Sequence, residues 1–118
     1  MSDLMESQLY DAALDGRVEE VSCLLRDRPE INVNWTNTLQ WTPLHVASRD
    51  NHVEIVKLLL AHPDINVNPK TADRFTPISF SCANCNVSVV QLLVKDPRVD
   101  ITLSDIDGCT PLWVAASN

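Results

Sequence analysis

Two thiols three residues apart, Cys82-Ala83-Asn84-Cys85, are the first candidate chemistry in this chain. That spacing suits a reversible disulfide or one half of a zinc site. A redox pair needs a helix N-terminus to lower a thiol pKa. This pair falls at the predicted C-terminal end of a helix, where the backbone dipole raises it. Zinc would need two further ligands, and no second close pair accompanies Cys23 and Cys109. The bland account is that Cys82 fills a small core position and Cys85 a turn.

The other candidate groups point away from catalysis as well. His45 has no nucleophile and no orienting acid spaced around it. The carboxylates are dispersed, so no acid–base pair can be drawn. Only Gly16 and Gly108 are glycines, which excludes a Gly-rich phosphate loop. The expectation is a chain with no enzymatic activity, no cofactor and no metal.

The 118 residues carry 16 acidic and 9 basic side chains, a net charge of −7. The three Lys and six Arg are scattered, so no basic patch can form to neutralise phosphates. Nucleic acid and anionic membrane are not expected partners; a protein with a basic surface is. The uncharged run from Phe75 to Val94 contains Pro77, Asn84, Asn86 and Gln91, which hydrocarbon would not accept. Met1-Ser2-Asp3-Leu4-Met5-Glu6 lacks a basic region and an apolar core, so no signal peptide is expected there. Reduced thiols in the cytoplasm, or the nucleus, follow. The sequons Asn34-Trp35-Thr36 and Asn86-Val87-Ser88 are then read as chance.

What positions these residues is a repeat. Thr42-Pro43-Leu44 recurs as Thr76-Pro77-Ile78 and Thr110-Pro111-Leu112, 34 residues apart each time. Val56, Leu59 and Leu60 map onto Val90, Leu93 and Val94, and Ile65 to Asn68 map onto Val99 to Thr102. The first third keeps the register from Pro29 to Asn34, with one extra residue near Arg26 to Arg28. Such a period is the mark of a stacked array.

Each unit reads as helix, turn, helix and extended connector. Thr caps free N–H groups, and Pro at the first helical position loses nothing, because its N–H would be unpaired anyway. The first helices are predicted over 43–49, 77–83 and 111–116, and the second over 53–61 and 87–95. In the opening unit, Asp3 and Glu6 have capping-box spacing, and a helix runs to about Leu14. Gly16 turns the chain, and a second helix covers 18–26. Helices of seven to ten residues are unstable alone, so their apolar stripes must be covered by neighbours.

These residues resemble the ankyrin repeat family: Thr42-Pro43-Leu44-His45-Val46-Ala47, then Asn51-His52-Val53-Glu54-Ile55-Val56-Lys57-Leu58-Leu59-Leu60, then Asn66-Val67-Asn68. Asp105 to Leu112 carries the best hairpin match. The resemblance covers nearly the whole chain. It implies an all-α solenoid with β-hairpin or loop fingers, in one domain of repeats at about 4–36, 37–70 and 71–104 and a partial one at 105–118. It also implies binding of another protein through the finger tips and the concave face of the first helices, with no shared catalytic site.

The partner-binding residues this implies are Thr38 and Leu39 in one finger, Lys70, Ala72 and Asp73 in the next, and Ile106 and Asp107 in the last. Arg49, Asp50, Ala83 and Asn84 end the first helices. Trp41 and Phe75, each just before a Thr-Pro, have two open readings. They are partner anchors, or they are hydrophobic staples on Val46 and Phe80. The family's connector glycine survives only as Gly108, with Gln40 and Arg74 in its place elsewhere. The inter-helix glycine survives as Gly16 and becomes Asn51 and Cys85. The chain ends with the first helix of a fourth unit, so it is expected to be a fragment of a longer array or to meet something else at that end. A regulatory or targeting segment of a longer enzyme, channel or effector is the alternative function.

Overall fold

The computed structural model describes residues 4–100. Within them lie six helices in pairs: α1 Leu4–Asp15 and α2 Val18–Asp27, α3 Pro43–Arg49 and α4 Val53–Leu60, α5 Pro77–Ala83 and α6 Val87–Lys95. Bounds agree with the sequence expectation to within one residue. The extra residue of the first unit is absorbed by α2, which runs one residue past its predicted end at Arg26. The predicted helix over 111–116 and the Asp3 cap lie outside the described residues.

The Thr-Pro starts behave as their chemistry requires. Thr42 is extended (φ −97°, ψ 167°), and its Oγ1 accepts from the His45 N–H while His45 Nδ1 accepts from the Thr42 N–H. Thr76 and Ser79 make the same reciprocal box at the start of α5. The second helices have no side-chain cap at their own N-termini. Instead, the residues there reach back one repeat. His52 Nε2 donates to Leu14 O (3.1 Å), and Asn86 Nδ2 donates to Ser48 O and Arg49 O (both 2.8 Å). Carbonyls orphaned at the ends of α1 and α3 are satisfied this way.

First helices pack on first helices (α1 on α3, α3 on α5), second on second, and each on its own partner. Leu9, Ala12, Ala13, Leu44, Val46, Ala47, Ile78 and Cys82 line the first layer, and Val21, Ile55, Val56, Leu59, Val89, Val90 and Leu93 the second; all are buried. The connectors close the core from below with Ile31, Val33, Ile65 and Val67.

A ladder of side-chain amides joins the connectors. Asn34 Nδ2 donates to Asp64 O (2.9 Å), and its Oδ1 accepts from Asn66 N (2.8 Å). Thirty-four residues on, Asn68 Nδ2 donates to Arg98 O (2.9 Å), and its Oδ1 accepts from Asp100 N (2.7 Å). At the N-terminal end, buried Glu6 supplies the acceptor, with its Oε2 3.0 Å from Asn32 N.

Candidate partner-binding surface

The fingers are tight turns held by main-chain bonds. Asn37 N–H donates to Trp41 O (3.0 Å) and Gln40 N–H to Asn37 O (3.0 Å); Thr71 N–H donates to Phe75 O (2.9 Å) and Arg74 N–H to Thr71 O (2.8 Å). Closing them requires a left-handed residue before each aromatic. Gln40 (φ 65°) and Arg74 (φ 69°) adopt that conformation despite their Cβ atoms. Asn51 (φ 60°) and Cys85 (φ 54°) do so between the helices. Each departure from the family's glycine therefore keeps the glycine backbone and bears its strain.

Two adjacent fingers are joined at their tips, where the Ala72 N–H donates to Leu39 O (3.2 Å). Thr38, Leu39, Lys70, Ala72 and Asp73 are all exposed there, Leu39 to 58%. Behind the tips runs an aromatic column. Phe75 is stacked on Phe80 (centroids 5.2 Å, interplanar angle 20°), and Phe80 meets Trp41 at 4.9 Å. The Arg49 guanidinium lies over the Trp41 ring at 4.9 Å and forks onto the Asp50 carboxylate (2.9 and 3.2 Å).

Phe75 thus makes the staple contact expected of it and still leaves 42% of its surface open. Trp41, half-buried, finds Phe80 of the following repeat, which its spacing to Val46 did not suggest. Ala83 and Asn84 are exposed at the end of α5, with Asn84 Nδ2 held by Phe80 O (3.0 Å). Ile106 and Asp107 lie outside the described residues.

Two contributors escaped the sequence reading. Tyr10 occupies the His45 register position in the first unit, and its hydroxyl accepts from Asn37 Nδ2 (3.0 Å), tying α1 to the first finger. Its ring meets Trp35 edge-on at 5.9 Å. Burial raises the Tyr10 pKa above the ordinary phenol value; Arg49 opposes the rise, and Asp11 and Asp50 add to it. Counting 35 residues back from His45 would have found Tyr10.

His45 is wholly buried. Its Nε2 lies 3.0 Å from both Pro69 O and Phe75 O, which only accept, so Nε2 carries the hydrogen; Nδ1 accepts from the Thr42 N–H and carries none, so the ring is neutral. Burial pushes its pKa down to about 4. A proton held this way has a structural role. Cys82 is buried within α5, and Cys85 is exposed in the turn. Among the described residues no three of His, Cys, Asp and Glu converge to hold a metal ion.

A family model of ankyrin repeats in three copies matches residues 3–71, more than half of the chain. This chain belongs to the ankyrin repeat family. Ankyrin repeats are generally non-catalytic protein-interaction modules. The chain is also similar to alpha-latrocrustotoxin-Lt1a of Latrodectus tredecimguttatus, 38% identical over 52 residues. That stretch is 44% of this chain and only 4% of the toxin. No helix among the described residues is long and apolar enough to cross a membrane.

Proposed function

We propose that this ankyrin array is a single, non-enzymatic domain that binds another polypeptide. Its repeats divide at about 36, 70 and 104. The grip is the concave side formed by the finger tips and the first helices: Thr38, Leu39, Trp41, Lys70, Ala72, Asp73 and Phe75, flanked by Arg49, Asp50, Ala83 and Asn84. What carries this reading is the aromatic column. Phe75 presents an open face on a ring stack fixed from behind by Phe80, Trp41 and Arg49. A surface rigid before contact loses little entropy on binding, and large aromatics dominate interface energetics. The surplus of carboxylates favours a partner with a basic surface, met in the cytoplasm or nucleus.

The test is affinity capture from native extract with the wild-type chain and a Leu39→Ala, Phe75→Ala variant. Leu39 is exposed and Phe75→Ala gives up the stack on Phe80, about 0.5–1.5 kcal/mol, so the chain melts somewhat lower but stays folded while capture falls at least tenfold, the loss of one anchor at about 1.4 kcal/mol or more. Equal capture by the two chains refutes the surface. A second reading is favoured by the toxin match, which falls within a far longer protein. In it the array is a regulatory or targeting segment of a longer enzyme, channel or effector, and a transcript continuing past Asn118 would support it.

A further inference from the structure

Asn34 and Asn86 are the acceptor positions of the two N-glycosylation sequons, and in the folded chain both amide nitrogens are engaged between repeats. We infer that both sequons are closed by the repeat stack itself, so that an N-glycan on either asparagine is incompatible with the folded array.

The chemistry of the transfer makes the conflict specific. A lipid-linked oligosaccharide pyrophosphate donates its sugar. The bond from Nδ2 to the sugar C1 forms, the C1–O bond to the pyrophosphate breaks, and one amide proton leaves. Asn34 uses both ends of its amide on one main-chain segment, Nδ2 on Asp64 O and Oδ1 on Asn66 N. A segment that touches both atoms faces the edge they share, so the donated hydrogen is the one cis to Oδ1. In a secondary amide held trans, the new substituent takes that same position. The sugar would therefore replace the bonded hydrogen and stand where the next connector packs. At Asn86 the nitrogen is partly buried and lies 2.8 Å from both Ser48 O and Arg49 O, so a sugar there would push the α5–α6 turn off the end of α3.

The conflict falls on the asparagines and not on the rest of each sequon. Thr36 and Ser88 are exposed and take no part in these bonds. Removing them deletes the modification signal and leaves the ladder intact, which makes a clean control.

The test places a cleavable secretory signal before the full chain in a glycosylating cell and sorts the product by endoglycosidase-sensitive mass. Glycan-bearing molecules are expected to be cut by limited protease at least tenfold faster than unmodified ones. A Thr36→Ala, Ser88→Ala chain is expected to be unmodified and as resistant as the cytosolic protein. If folding outruns transfer and the wild-type chain emerges unmodified, a Leu44→Ala variant that weakens the core is expected to acquire glycan. Single-sequon variants assign the effect to Asn34 or Asn86. Glycan-bearing molecules as resistant and as heat-stable as the double variant would overturn the inference. So would absence of glycan from both the wild-type and Leu44→Ala chains, since something other than the fold would then be closing the sequons.

Discussion

The Nε2–H of His45 reaches across the repeat boundary to Phe75 O, 3.0 Å away, while Nδ1 of the same ring accepts from the Thr42 N–H at 2.9 Å. One imidazole thereby caps its own helix and fastens the finger that carries Phe75. In the next repeat Ser79 keeps the cap. Its hydroxyl returns to Thr76 O at 2.8 Å. The position of the open aromatic face depends on the bond that His45 makes across the boundary.

That ring sets a pH dependence. Buried neutral, His45 has a folded pKa of about 4 against 6.5 in the unfolded chain. Its contribution is therefore complete above about pH 6.5, is lost as pH falls through 5, and levels off below about 4. The full loss is on the order of 3 kcal/mol. Urea titrations at pH 7 and pH 4.5 measure it. A His45→Ser chain, which copies the Ser79 box, is expected to be less stable at pH 7 by about 2–3 kcal/mol and to lose less on acidification.

The helices were legible in the sequence because their signals are local. Thr-Pro fixes where α3 and α5 begin, and Asp50-Asn51 and Asn84-Cys85 where they end. The bonds that set the distance between repeats were not legible. Asn34 meets Asn66, and Asn86 meets Ser48, over more than thirty residues. No local rule distinguishes such an Asn from an ordinary turn former. The candidate surface was half legible: the residues before Thr-Pro stood out, but the path from Trp41 to Phe80 crosses repeats and needed the stacked geometry.

Left-handed backbone at side-chain-bearing residues is a reserve of stability. Gln40, Arg74 and Cys85 hold φ between 54° and 69°. Replacing each by Gly relieves a conformation that costs roughly 1–2 kcal/mol, partly offset by the greater freedom of unfolded glycine. Each change is expected to add about 0.5–1 kcal/mol in chemical denaturation, and Asn51→Gly less. The converse holds at Gly16, where φ is 74° and an added Cβ would stand 2.8 Å from His52 Cε1. Gly16→Ala is expected to destabilise by more than any of those gains.

Ser48 is wholly buried on α3, and its Oγ has no hydrogen-bond partner. A buried hydroxyl left unsatisfied costs about 1–3 kcal/mol, and the methyl of alanine fits the same space. Ser48→Ala should raise the thermal midpoint, by roughly 4 °C for about 1 kcal/mol in a domain of this size. A lower midpoint would mean that the hydroxyl is satisfied in solution by water.

The asparagine ladder separates pairing from mere presence of a polar group. Asn34→Ala removes one donor and one acceptor and leaves Asp64 O and Asn66 N–H to solvent, at a cost of about 1–2 kcal/mol. Asn34→Asp keeps an acceptor for the Asn66 N–H but turns a second, charged oxygen toward Asp64 O, where a donor stood. It is therefore expected to be worse than alanine near neutral pH and to recover as the carboxyl protonates in acid. Asn68, with the same two partners one repeat on, should show the same order. Denaturant midpoints for the four variants at pH 7 read the ranking directly. Aspartate as benign as alanine would mean that the acceptor kept for the Asn66 N–H offsets the repulsion between the two oxygens at Asp64 O.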